Sequence, residues 1–315
     1  MKNINKLLID QFKIGFEFEF YVKNSSIANH LSGARDKKVE KIPKEVLQQY
    51  GHLFVANAVK QSFDYEEAGK YFKDKLQEIY PNESWKKAFS VTQDGSLNDT
   101  NVITGLEVVY KHQTGTDALR NFKQILTLLQ GHDFITKSEC GLHINISFKD
   151  ETKNNKGFAF ELIKNLDVAL VKEKFGRKNN EYCENNRESS LDLDYALEDT
   201  FSSSRLRSLL IGKKSETLRN VLEGIENLKK PVHFQKFLSM IESSVKDYCI
   251  EKWDDNRPAI APRKSSSGDY LEFRATGGKD YQHKQEDLIH TLNEYLKAMV
   301  VTNKSLTSTR IKMKV

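Results

Sequence analysis

The chain has 315 residues, 38% of them hydrophobic and 10% aromatic, which is ample material for a packed core and excludes a disordered or low-complexity chain. Its formal charge of +5 is the small remainder of 49 basic and 44 acidic side chains, so it suits an anionic ligand without implying nucleic acid. Cys140, Cys183 and Cys249 lie far apart with no C-x-x-C spacing, which argues against a thiolate metal site and for structural thiols in a reducing compartment.

Near the start, the apolar run Leu7 to Ile9 is broken by Asp10 and Gln11, too short for a signal peptide or a membrane anchor. A cytoplasmic protein with no membrane partner is expected. Lys13 to Val22 alternates throughout: Ile14, Phe16, Phe18, Phe20 and Val22 share one parity, Glu17, Glu19 and Tyr21 the other, which predicts a strand with one buried face. From Pro43 to about Tyr80 the spacing turns helical, with Tyr65, Ala68, Phe72, Leu76 and Ile79 on one stripe, and predicts two helices split near Phe63. Asp94-Gly95-Ser96 reads as a tight turn, and Gly105 to Tyr110 as a short strand carrying Glu107. A helix follows from about Thr116 to Gly131, with Leu119, Phe122, Ile125, Leu126 and Leu129 inward.

Gly141 to Phe148 alternates again, with Leu142, Ile144, Ile146 and Phe148 opposite His143, Asn145 and Ser147. Residues from about Phe158 to Trp253 read as a mostly helical layer, an insertion over 150–255. Asn256 to Asp269, with two prolines and a serine-glycine run, predicts a loop. Tyr270 to Ala275 is a third strand in which Leu271 and Phe273 oppose Glu272 and Arg274, and a long amphipathic helix from about His283 to Val301 follows. Gly277-Gly278-Lys279 reads as a turn after that strand, and Arg310, Lys312 and Lys314 as a solvated basic tail.

The chemistry concentrates on the polar parities of these strands. Residues two apart on a strand share a side with Cα atoms roughly 7 Å apart, so Glu17 and Glu19 can occupy one basin, and His143, Asn145, Glu272 and Arg274 converge on it if the strands share a sheet. Carboxylates about 5 Å apart repel by roughly 3 kcal/mol at an effective dielectric near 20. A buried basin therefore needs cations, protonation or arginine partners. Oxygen-rich ligation with a single imidazole favours Mg²⁺ or Mn²⁺ over zinc. Taken singly, each motif has an ordinary structural reading: Glu-x-Glu as the solvated face of a sheet, His143 as a hydrogen-bonded histidine, Glu272 with Arg274 as a surface pair. Their joint occurrence on glycine-flanked strands is what points to a site.

Gly15-Phe16-Glu17-Phe18-Glu19-Phe20 resembles the G-x-E-x-E-F strand of glutamine synthetases. Gly141-Leu142-His143-Ile144-Asn145-Ile146-Ser147 resembles their G-x-H-x-H/N-x-S strand, and Leu271-Glu272-Phe273-Arg274 their x-E-x-R strand. Asp94-Gly95-Ser96 followed by Gly105-Leu106-Glu107 is similar to the D-G-S and G-x-E segments of the broader carboxylate–amine ligase superfamily, the amidoligases in particular. The order along the chain agrees. The resemblance implies an α+β fold: one catalytic domain over 1–315, built on a curved, mostly antiparallel sheet with a polar concave face for metal and ATP and helices over the other face. It implies Glu17, Glu19, Glu107, His143 and Glu272 as ligands of two or three Mg²⁺ ions, Mn²⁺ being an alternative. Asn145 and Ser147 would lie near the nucleotide, Arg263 on its phosphates, and Arg274 on the carboxylate being activated or its transferring phosphoryl group, with Asp94 either a support or a simple turn residue. Arg263 and Arg274 are thus the catalytic cations.

The implied activity joins a small-molecule or peptide carboxylate to an amine at the expense of ATP, through an acyl phosphate. A modified nucleotide stays open as acceptor. The helical 150–255 segment matches nothing in the resemblance; Arg187, Arg205 and Arg207 are its candidate substrate contacts. Asn145 stands where many amidoligases carry a second histidine. Two rivals follow from the same residues, a Mg²⁺-dependent phosphoester hydrolase and a non-catalytic nucleotide-binding relative.

Overall fold

The computed structural model describes residues 6–39, 63–81, 89–149, 156–180, 183–189, 191–197, 203–212, 214–228, 235–255, 257–264 and 268–312. Helices accompany a mostly antiparallel, unclosed sheet. Its strands are β1 (Phe12–Lys23), β2 (Phe89–Thr92), β3 (Ile103–Thr114), β4 (Phe134–Ile135), β5 (Gly141–Phe148), β6 (Ile260–Arg263) and β7 (Tyr270–Gly277). Their hydrogen-bonded order is β2-β3-β1-β5-β7-β6, with β4 against β1. The chain divides into two compact units. Unit I is Ile14–His143 with Gly277–Glu286; unit II is Met1–Lys13, Ile144–Thr276 and Asp287–Val315.

In unit I the apolar parity of β1 carries the core. Phe16 and Phe18 meet Phe122 of the helix Gly115–Leu129 at ring-centroid distances of 4.4 and 5.8 Å. Phe20 meets Phe72 of the helix Tyr65–Ile79 at 5.3 Å and Phe134 of β4 at 5.7 Å. Burying each such ring is worth roughly 1.5–3 kcal/mol before entropy, and each ring pair adds about 0.5–1.5 kcal/mol. The helix Tyr65–Ile79 begins where the spacing places it, because Asp64 and Glu67 form a capping box: the Glu67 N–H donates to Asp64 Oδ1 at 2.9 Å and the Asp64 N–H to Glu67 Oε2 at 3.3 Å. Of its stripe, Ala68, Phe72 and Leu76 are buried, whereas Ile79 is exposed in the last turn. The helix expected from Pro43 lies outside the described residues.

In unit II, Phe273 of β7 stacks on Tyr295 of the helix Gln285–Lys312 at 4.3 Å, and Phe160 of the helix Lys156–Asn165 packs on Trp253 of the helix Gln235–Asp255 at 6.3 Å. Between those two helices lie Ala169–Lys174, Leu193–Leu197, Ser203–Ile211 and Leu218–Leu228, in line with the helical spacing there. None of the described helices is long and apolar enough to cross a membrane.

Three expectations need correction. Residues 256–269 are not all loop: Ile260–Arg263 forms β6, paired antiparallel with β7. Of the two prolines in this stretch only Pro262 lies in β6, and it misleads because β6 ends the strand order, where an edge strand tolerates a missing N–H. Second, β1 and β5 do not have one buried and one wet face. Glu19 and Tyr21 are 5% and 0% exposed, and all eight residues of β5 are buried; within unit I, Glu17 and Glu19 meet His143 and Tyr21 meets Glu139. Third, the strand around Glu107 runs over twelve residues rather than six and pairs with β2, which is too short to announce itself. The helix Asn24–Val39 was equally silent, since its polar mixture has no apolar period.

Candidate metal centre

Four segments of unit I bring their acids to one place. On β1 the pleat puts Glu17 and Glu19 on one side, and His143 of β5 reaches both: Nδ1 is 2.9 Å from Glu17 Oε2 and Nε2 is 3.3 Å from Glu19 Oε1. Two carboxylates on one imidazole leave a neutral ring one donor short. Gly141 completes this corner. Its N–H donates to Glu19 Oε2, and a Cβ at that position would stand 2.9 Å from both Glu19 oxygens and 2.8 Å from His143 Nε2. The close approach is open to glycine alone. From the short helical turn Tyr281–His283, the Tyr281 hydroxyl donates to the Glu19 carbonyl at 3.0 Å and fixes the backbone that carries the carboxylate.

Glu107 comes from β3, directly opposite Thr92 of β2, whose hydroxyl donates to Glu107 Oε2 at 2.7 Å. Asp94 comes from the turn after β2, where its Oδ1 accepts the Ser96 N–H at 2.7 Å and its carbonyl accepts the Leu97 N–H at 3.2 Å. Ligand atoms of Glu17, Glu107 and His143 all lie within 4.8 Å of one another, and so do those of Glu19, Asp94 and Glu107. The two groups share Glu107. Oxygens on opposite sides of a Mg²⁺ ion stand about 4.2 Å apart, so small side-chain movements would close each group on an ion. Electrostatics agrees with a cation site. Burial pushes the Glu107 carboxyl upward, as do the Glu17 and Glu19 carboxylates, against the opposing pull of the Thr92 hydrogen bond and His143. The donor set of four carboxylates and one imidazole fits Mg²⁺ or Mn²⁺ better than zinc.

No family model and no curated protein matches the chain. The site is therefore argued from its geometry and its motifs.

The remaining predicted residues lie in unit II. Glu272 is 3% exposed and held by two arginines: Arg263 Nε donates to Oε2 at 2.7 Å and Arg274 Nε to Oε1 at 2.8 Å. The strand register explains the triad. Ala261 is opposite Glu272, so Arg263, two residues along β6, is a diagonal cross-strand neighbour, and Arg274 is the same-face neighbour along β7. Neither of the two candidate metal groups among the described residues contains Glu272. Asn145 and Ser147 on β5 are buried, at 3% and 6% exposed.

The arginines expected to reach a substrate are otherwise engaged. Arg187 donates from Nε to the Ile163 carbonyl at 2.8 Å and from its guanidinium to the Lys164 carbonyl, closing the end of the helix Lys156–Asn165. Arg207 pairs with Glu216 at 2.7 Å. The side chains of Arg205 and Arg310 lie outside the described set, as does Lys314. All three cysteines are buried free thiols, and burial pushes Cys249 up to about 12, as befits packing rather than reactivity. Two partners of the site were not foreseen. Thr92 had no signal, being on an unrecognised strand, whereas Gly141 was visible as the first letter of its motif.

Proposed function

We propose that the chain is an ATP- and Mg²⁺-dependent carboxylate–amine ligase, related to glutamine synthetases and amidoligases. The observation that carries the reading is the gathering of Glu17, Glu19, Asp94, Glu107 and His143. These residues stand at the positions the four motifs mark, with ligand atoms close enough for shared cations. Magnesium held by these residues would supply counter-charge to a polyphosphate.

In this reading Glu17, Glu107 and His143 hold one ion and Glu19, Asp94 and Glu107 another. Glu272 is assigned as a further ligand, Asn145 and Ser147 to the nucleotide, and Arg263 to its phosphates. Arg274 steadies the substrate carboxylate as its oxygen attacks the γ-phosphorus and ADP leaves with the bonding electron pair. The amine nitrogen then attacks the acyl carbon, phosphate departs, and the nitrogen loses a proton. Fixed cations placed where charge develops provide the larger part of such catalysis. The substrate classes are a small-molecule or peptide acid and an amine, and the buried free thiols support a cytoplasmic setting.

The experiment is a matrix of amino acids and amines incubated with Mg-ATP, read by ADP release and by mass spectrometry of the product. ADP and an amide that appear only when both an acid and an amine are present support the ligase. Two overlapping ligand groups sharing Glu107 also suit a two-metal hydrolase. Mg²⁺-dependent cleavage of a phosphoester without ATP, and no ADP from any pair, would move the assignment there. A non-catalytic relative would bind Mg-ATP, with stabilisation lost in Glu17→Ala or Glu272→Ala, and turn over neither.

A further inference from the structure

Unit II contains a cavity of about 240 Å³ that the ligase reading does not use. One wall is a single face of the helix Gln235–Asp255, where Tyr248, Cys249, Lys252 and Trp253 fall at successive helical spacings. The other wall is the 184–192 segment, which is held in place by its own hydrogen bonds. Glu184 forms a parallel bridge with Pro258: its N–H donates to the Arg257 carbonyl at 2.9 Å, and its carbonyl accepts the Ala259 N–H at 2.6 Å. The Asn186 amide brackets Ile260, accepting its N–H at 2.9 Å and donating to its carbonyl at 3.0 Å. Further along, the Asp192 N–H donates to the Tyr248 hydroxyl at 3.3 Å and ties the two walls together. The cavity is therefore preformed.

Its lining divides into an apolar floor and an acidic, aromatic mouth. Leu191, Cys249 and Trp253 are buried at 1%, 4% and 3% exposed, whereas Glu184, Asp192 and Lys252 are exposed. Two carboxylates thus stand against one ammonium. That ammonium already lies over the Tyr248 ring, 5.8 Å from its centroid, and Tyr195 packs edge-on to the same ring at 5.8 Å. The ring is thus held by the chain's own cation, while the lining carries two carboxylates to one ammonium beside an apolar floor, a balance that favours a small cation with an aliphatic body. The volume lies below the roughly 300–1,000 Å³ of drug-sized pockets, so the occupant is small.

The geometry points to this cavity as a binding site for a small alkylammonium ion, its charged head at the mouth that Glu184 and Asp192 line and its aliphatic body on Leu191 and Trp253. Anions are disfavoured by the two carboxylates, and neutral alcohols gain nothing from them.

The chain has two tryptophans, so in a Trp85→Phe background Trp253 alone reports occupancy by fluorescence. The probes are n-butylammonium chloride, 1-butanol and sodium butyrate, titrated without Mg²⁺ or ATP, so that the outcome bears on this site and not on the ligase reading. Saturable quenching by n-butylammonium is expected, with 1-butanol and butyrate about tenfold weaker or more. The double variant Glu184→Gln, Asp192→Asn should bind n-butylammonium about tenfold more weakly; asparagine retains an acceptor for the Tyr195 N–H that Asp192 Oδ1 now receives at 3.0 Å. Butyrate or butanol binding as well as the ammonium, or no saturable response to it, would overturn the proposal. That comparison is made on the unaltered cavity and decides the matter even if the double variant does not fold.

Discussion

Replacing Glu107 with glutamine should stabilise the metal-free protein and remove its response to Mg²⁺, two effects of opposite sign from one substitution. The Glu107 carboxylate lies within 4.8 Å of ligand oxygens on Glu17 in one group and on Glu19 and Asp94 in the other. At an effective dielectric of 20, each such pair of full charges repels by about 3.5 kcal/mol. Three pairs would approach the entire stability of a typical domain, and burial first, then the Glu17 and Glu19 carboxylates, push the Glu107 carboxyl upward. Solvent screening and His143 offset most of the repulsion, so a gain of about 1–2 kcal/mol is expected for Glu107→Gln, or about 1.5–3 °C in melting temperature for a chain of this size. Glutamine keeps the volume and an acceptor for the Thr92 hydroxyl, so little packing is lost. The assay is thermal unfolding in EDTA and in excess Mg²⁺. The unaltered protein should gain about 2.7 kcal/mol when Mg²⁺ reaches 100 times its dissociation constant, and the variant almost none. A variant that melts lower in EDTA, or one that keeps the full Mg²⁺ shift, refutes the view of Glu107 as a shared ligand in a repelling cluster.

Gly141→Ala places a methyl group 2.8–2.9 Å from His143 Nε2 and both Glu19 oxygens, so Mn²⁺ affinity measured by calorimetry should fall about 10–100-fold, with a loss of about 1–3 kcal/mol in stability. Arg274→Ala strips one of two arginine partners from the buried Glu272 carboxylate and, with Arg263 still donating, should cost about 1–3 kcal/mol in urea denaturation, whereas Arg274→Lys recovers part of the charge but not the fork geometry. Asp133 supplies a pH signature in unit I: burial pushes its carboxyl up, but hydrogen bonds from Ser26 at 2.6 Å and Tyr71 at 2.7 Å prevail and hold it below the usual range. A depressed carboxyl stabilises the fold above its unfolded value near about 3.9 and loses that contribution as pH falls through the folded one. Asp133→Asn should therefore flatten the acid limb of the stability curve below about pH 4, and an unchanged limb would remove Asp133 from the account.

Alternation announced β1, β5 and β7 because each carries long apolar residues on one parity. It could not announce β2, which has four residues, nor β6, whose Pro262 is compatible with a strand only at an edge. Strand order is a matter of pairing, invisible to local pattern, and so was the Thr92 hydroxyl on Glu107. Placing Glu17, Glu19, Glu107 and His143 together needed only the assumption that similar strands share a sheet. Asp94 was harder to read, because an aspartate in a turn has a sufficient structural reason to be there, and its own Ser96 hydrogen bond satisfies that reason. The helical stretch fared worst at the level of function. Arginine looks alike in sequence whether it meets a ligand or closes a helix, and Arg187 does the second.

What separates this site from the wet Glu-x-Glu of an ordinary sheet is the placement of its glycines as much as the acids themselves. A Cβ on Gly105 would stand 2.6 Å from Leu97 Cβ, and the Gly105 N–H donates to Asp99 Oδ1 at 2.6 Å. The turn that begins at Asp94 can therefore lean directly on the strand that carries Glu107. Gly141 does the same for Glu19, admitting its carboxylate against the strand that carries His143. In each case the glycine lies two residues before a ligand on its own strand and against the segment that supplies another. The spacing G-x-E or G-x-H thus has a mechanical reason: one side chain is removed so that two polar ones from different parts of the chain can approach one candidate cation site.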